Sequence, residues 1–108
     1  MKRGDLITVA MQGDFGKPRP ALVIQADSFD GLATVSVLPV TGTLTTAPLL
    51  RVTVQPDKEN GLRKASQVMI DKVITVKRDK TGDAFGRINA NLMTEIERRL
   101  ALFLGIVR

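Results

Sequence analysis

The short interval between backbone breakers limits this chain's fold more than any other feature. Runs of Val, Ile, Leu and Thr are interrupted every few residues by Gly, Pro, Asp or Asn. Short strands that turn back on one another produce this pattern, which favours a small antiparallel barrel or sandwich over a parallel sheet. Leu6 to Ala10 reads as the first strand, followed by a polar stretch with two glycines, Gln12 to Lys17, and by the rigid Pro18-Arg19-Pro20. Ala21 to Ile24 is apolar at consecutive positions, as a strand buried on both faces should be. Asp27 to Gly31 reads as a turn and Ala33 to Val40 as a strand. Leu50, Val52 and Val54 alternate with Arg51, Thr53 and Gln55, the mark of a half-exposed strand. Asn60-Gly61 is a strong turn signal, and further strands are expected over 66–70 and 73–76, before the charged turn from Lys77 to Gly82.

The period changes near the end. Met93, Ile96, Leu100, Phe103 and Leu104 share one helical stripe, with Glu95, Glu97, Arg98 and Arg99 elsewhere on the helix. Asn89 is placed to cap this helix, and Gly105 to end it in a left-handed conformation. With no internal repeat or linker, residues 1–108 are expected to form a single domain, mainly β with a C-terminal helix.

Missing residue types narrow the chemistry. Without cysteine there is no disulfide framework and no thiolate metal site, and without histidine the commonest metal ligand and the commonest general base are both lost. A Ser-His-Asp triad, a cysteine nucleophile and a histidine pair for RNA cleavage are excluded. Gly4, Gly13 and Gly16 match neither the P-loop nor the dinucleotide fingerprint. No cofactor is implied. No apolar run is long enough to span a bilayer and the N-terminus does not read as a signal peptide, so neither a membrane nor an extracytoplasmic setting is expected. Sixteen Lys and Arg against eleven Asp and Glu give a net charge of +5, which suits a polyanionic partner.

The segment Lys17-Pro18-Arg19-Pro20-Ala21-Leu22-Val23-Ile24 stands out. Two prolines stiffen the backbone on either side of Arg19 and a buried strand follows, so the guanidinium is mounted on a firm base, where its planar donors can meet phosphate oxygens. The plain alternative is a surface arginine paired with an acid. Phe15, in the flexible loop beside Lys17, is the one aromatic placed to stack on a base, and Lys17, Arg51, Lys64 and Lys77 are candidates for a phosphate track.

Arg3-Gly4-Asp5-Leu6-Ile7, then Arg19-Pro20-Ala21-Leu22-Val23-Ile24, Leu38-Pro39-Val40-Thr41 and Ser66-Gln67-Val68-Met69-Ile70-Asp71 resemble, in order and spacing, the successive blocks of the MazF/PemK toxins. The likeness spans nearly the whole chain. It implies an SH3-like β-barrel of the CcdB/MazF type, acting as a homodimer in the cytoplasm, and a metal-independent endoribonuclease that cuts single-stranded RNA in a type II toxin-antitoxin system. The resemblance also implies attack by the neighbouring 2′-hydroxyl, leaving a 2′,3′-cyclic phosphate and a 5′-hydroxyl. Its catalytic residues fall on Arg19, Thr41 and Asp71, the last with a structural salt bridge or turn as the alternative role, and Lys17, Phe15 and Gln67 are the expected substrate contacts. Arg19 is expected to stabilise charge first and to act as an acid second, because a guanidinium gives up its proton poorly near neutrality.

The implied partners are RNA and a cognate antitoxin with an acidic C-terminal segment, with operator DNA bound only through the antitoxin complex. The chain departs from the family pattern at Ser66 and Met69, where many relatives carry Asp and Arg. Two other functions fit the same barrel. One is a CcdB-like gyrase poison, although the terminal Phe103-Leu104-Gly105-Ile106-Val107-Arg108 lacks that group's tryptophan; the other is a nucleic-acid-binding barrel without catalysis.

Overall fold

The computed structural model describes residues 1–10 and 17–107. Its strands are β1 (Asp5–Ala10), β2 (Pro18–Val23), β3 (Thr34–Thr41), β4 (Arg51–Val54), β5 (Ser66–Met69), β6 (Ile74–Lys77) and β7 (Gly86–Arg87), followed by the α-helix α1 (Ala90–Phe103). All pairings are antiparallel, in the order β4-β5-β3-β2-β1-β7, with β6 beside β3. A bridge from Val9 of β1 to Thr81, just past β6, curls the sheet toward closure. This is the expected mainly-β architecture with a terminal helix. Among the described residues, no helix is long and apolar enough to cross a membrane.

The long strand β3 organises the sheet because its two halves have different neighbours. Thr34 to Val37 pair with β6, whereas Val40 and Thr41 pair with Val68 and Gln67 of β5. Pro39 lies at the handover, where its missing N–H costs the ladder least. On the other edge, β2 reaches β3 only from Ala21 to Val23. Pro18 and Pro20 pair with β1 alone, opposite Ala10 and Thr8. The prolines expected to precede the strand therefore belong to it, as its first and third residues. Being two apart, they present their missing donors to the same unpaired edge.

Alternation along β1, β2 and β3 feeds two apolar clusters. Leu6, Leu22 and Leu38 join Val52, Val54, Val68 and Ile70 beneath Met93 and Ile96 of the helix, while Ile7, Val9, Ala21, Val23, Val35 and Val37 form the second cluster. The central strands are thus buried on both faces, as the apolar run at Ala21 indicated. Asn89 caps α1 by accepting the Leu92 N–H at 2.9 Å, and Gly105 follows with φ +74°. The helical stripe is longer than the sheet it covers. Leu100 is its last residue packed on the core, and Phe103 and Leu104 of the same stripe are exposed. The two-residue β7 carries no alternation long enough to be read in advance.

Candidate active site

A groove of about 1140 Å³ opens beside the outer end of β2. Its lining brings together Pro18, Arg19 and Pro20 of β2, the end of β3 from Pro39 to Thr41, Gly42 and Thr43 beyond it, and Leu62, Arg63 and Lys64 from the loop before β5. Arg19 is exposed and lines the groove from a stretch of strand held by β1 and stiffened by two prolines. Four cations line the surface, Arg19, Arg63, Lys64 and Lys72, and among the described residues no carboxylate does. Such a surface concentrates field on a polyanion.

Thr41 ends β3 at the rim. Its Oγ1 accepts the Thr43 N–H at 3.1 Å, which leaves its own O–H to donate. Across the ladder stands Gln67, which is buried. The Gln67 amide donates to the Thr45 carbonyl at 3.0 Å and to Thr53 Oγ1 at 3.2 Å, and accepts the Thr45 N–H at 3.0 Å. These bonds occupy the side chain in holding the threonine-rich loop, so Gln67 lies behind the groove rather than on its surface. Gln67, expected as a substrate contact, is not among the described residues that line the groove.

Asp71 also stands apart from the groove lining. Its carboxylate accepts from Arg51 Nη1 at 2.5 Å and lies 4.0 Å from Lys72 Nζ. The Arg51 hydrogen bond holds the Asp71 carboxyl below its ordinary range, with the nearby charges acting in the same direction and burial opposing them. A carboxylate so stabilised is a weak proton acceptor. Arg51, expected on a phosphate track, is committed to Asp71 and to the Leu50 carbonyl at 3.0 Å. Lys17 is exposed immediately before Pro18 and Lys77 ends β6, neither among the lining residues. Phe15 lies outside the described residues.

Arg63, Lys72, Ser66 and Met69 line the groove without having been singled out as contacts. Buried Asn60 brings the loop of Arg63 into place: its Oδ1 accepts the N–H groups of Asp57 at 3.1 Å and Leu62 at 2.9 Å, and its Nδ2 donates to Gln55 O at 2.8 Å. Gly61 follows with φ +66°, and a Cβ there would stand 2.7 Å from the Phe85 carbonyl, so only glycine suits the turn. The Asn-Gly pair was the available signal.

Comparison with known proteins bears on what this groove serves. The profile of the family described as PemK-like, MazF-like toxin of type II toxin-antitoxin system matches residues 2–104. The chain belongs to this toxin family. It is 47% identical over 107 residues to a probable endoribonuclease MazF of Mycolicibacterium smegmatis, covering 98% of both chains. An endoribonuclease MazF2 of Mycobacterium bovis is 30% identical, with 83% of this chain and 81% of the relative covered. A mycobacterial endoribonuclease solved with its cognate antitoxin superposes with a TM-score of 0.82 over 100% of this chain and 98% of that one, at 24% identity. The MazF of a Deinococcus radiodurans MazE-MazF complex gives 0.78 at 22% identity, covering 99% and 98%. The MazF fold is thus shared throughout, and this MazF-type toxin is an endoribonuclease of a toxin-antitoxin system.

Proposed function

We propose that the groove beside β2 cuts single-stranded RNA without a metal. The 2′-oxygen next to the scissile phosphate forms a bond to phosphorus as the bond to the 5′-oxygen breaks. The 2′-hydroxyl gives up its proton and the departing 5′-oxygen gains one, leaving a 2′,3′-cyclic phosphate and a 5′-hydroxyl. Negative charge gathers on the phosphoryl oxygens, and donors already in place lower the barrier most. Arg19 supplies the cation and Thr41 a hydroxyl hydrogen bond. Lys17 leads the strand toward the groove, and Arg63 and Lys72 follow the backbone. Asp71 fixes Arg51 and the turn after β5, and Gln67 acts through the loop it holds. Phe15 stacks on a base.

The observation that carries this reading is the convergence of Arg19 and Thr41, from different strands, on one cationic groove. The polypeptide partner is an antitoxin whose acidic C-terminal segment occupies the same groove, since a flexible anion is a direct way to neutralise a cationic RNA site. Operator DNA is met through that complex, in the cytoplasm. The working form is a homodimer, supported by the apolar side chains left open at the end of α1, where Leu102, Phe103 and Leu104 are 40%, 47% and 52% exposed.

Incubation of the purified protein with a long single-stranded RNA in EDTA, followed by end mapping, tests the reaction. Cuts at a fixed sequence with cyclic-phosphate ends are expected. Arg19→Ala should lower the rate by about 100-fold or more. Retardation of RNA without cleavage would instead indicate a binding barrel.

A further inference from the structure

Lys64, one of the groove's cations, packs on the backbone just past the end of β3. Its side chain lies against Gly42, the residue that follows Thr41. A Cβ on Gly42 would stand 2.7 Å from Lys64 Nζ and closer still to Cε. Gly42 does not have positive φ, so backbone conformation does not call for glycine there; the space is taken by the lysine. The Lys64 backbone is also held, because buried Ser66 donates its hydroxyl to the Lys64 carbonyl at 3.0 Å. Two residues further back, the Leu62 N–H is fixed by Asn60. Lys72, by contrast, lies 4.0 Å from the Asp71 carboxylate.

We propose that Lys64 is a catalytic residue of the groove: seated on Gly42, its ammonium meets the scissile phosphate beside the Thr41 hydroxyl and, with Arg19, steadies the phosphorane. The inference rests on the proposed cleavage in this groove and adds a second cation to it. A lysine resting on backbone, with no ion pair to a carboxylate among the described residues, keeps its charge beside the strand end, and a positioned charge stabilises a transition state more than one free to wander. The two cations also approach from different walls. Arg19 comes from β2, whereas Lys64 comes from the loop before β5, so a phosphate between them is held from both sides.

A four-variant comparison tests this. Lys64→Gln removes the charge, Lys64→Arg keeps a charge with a different head, Gly42→Ala keeps the lysine but removes its seat, and the fourth carries Lys64→Gln and Gly42→Ala together. Each is assayed by single-turnover cleavage of one single-stranded RNA at saturating protein, with circular dichroism melting to confirm the fold and Arg19→Ala alongside. Lys64→Gln should slow the chemical step by about tenfold or more, with a smaller change in apparent KM. Gly42→Ala should reproduce most of that loss, and the double variant should be no slower than Lys64→Gln alone. Lys64→Arg should recover only part of the rate.

Should Lys64→Gln stay within about twofold of the parent while Arg19→Ala abolishes cleavage, Lys64 leaves the site and the groove reading survives. Parent-like rates in both Lys64→Gln and Arg19→Ala overturn both. A damaging Lys64→Gln beside a silent Gly42→Ala also overturns the proposal, since the ammonium would then act from somewhere other than its seat on Gly42.

Discussion

Arg51 donates to the Asp71 carboxylate at 2.5 Å, joining β4 to the turn that ends β5. Because this bond lowers the Asp71 pKa from 3.8, the carboxylate is charged throughout the neutral range. A group whose folded pKa is depressed contributes stability above its unfolded pKa and loses it as pH falls through the folded value. Asp71 therefore gives no limb to a cleavage profile between about pH 5 and pH 9. Asp71→Asn should cleave within about threefold of the parent and melt slightly earlier at neutral pH, a difference that shrinks in acid. A rate fall comparable to that of Arg19→Ala would return Asp71 to the chemistry.

Gln67 gives a different signature. Gln67→Leu removes a buried amide that makes three hydrogen bonds and leaves the Thr45 backbone and Thr53 hydroxyl without their partner. The expected loss is about 1 to 3 kcal/mol in denaturant unfolding. The threonine loop should loosen with it, lowering the rate at saturating RNA more than it raises KM. If Gln67 instead touches the base directly, the variant will change which sequences are cut, which end mapping on a mixed RNA pool reads.

The two groove residues on which the proposed chemistry rests, Arg19 and Thr41, were legible to different degrees. The stiff mount of Arg19 was legible physically from Pro18, Pro20 and the buried strand after them, but a surface arginine paired with an acid fitted that mount as well, and the family pattern decided between them. Thr41 was legible only through its position in the family pattern, since Thr43, Thr45 and Thr46 offer the same hydroxyl. The helix cap at Asn89 and the turn at Gly61 followed from local chemistry and appear as expected. What stayed hidden depends on distant pairing. No local pattern shows that Gln67 sits opposite Thr41, that Arg51 reaches Asp71, or that the Asn60 turn carries Arg63 and Lys64 to the groove. The exposure of Phe103 and Leu104 was hidden for a related reason: periodicity shows which residues share a face but not where the opposing sheet ends.

Thr41→Val tests the hydroxyl in isolation. The side chain keeps its shape, so β3 and its pairing to β5 should persist, while the groove loses one donor. One hydrogen bond to a charged oxygen is worth about 1.5 to 3 kcal/mol, so cleavage should fall roughly 10- to 100-fold, less than in Arg19→Ala. Thr41→Ser should restore most of it. An unchanged Thr41→Val rate would assign the phosphate contact to another hydroxyl of the loop.

Acid stability should report on the helix through Glu95. Its carboxylate accepts from Arg98 at 2.7 Å and from Arg99 at 2.7 Å, and these bonds, Arg98's first, lower its pKa from 4.5 to about 2. Arg99 in turn donates to the Pro48 carbonyl, so Glu95 steadies the arginine that ties α1 to the segment leading into β4. The stability Glu95 contributes is fully present above its unfolded pKa and disappears as pH falls from about 4.5 to about 2. Glu95→Gln should therefore melt earlier than the parent at pH 7, and the two melting curves should draw together as the pH approaches 2. Because the pair is exposed, added salt should narrow the gap at neutral pH. A difference in melting temperature that stays constant from neutral pH to pH 2 would show that the Glu95 carboxylate's charge does not hold this end of the helix.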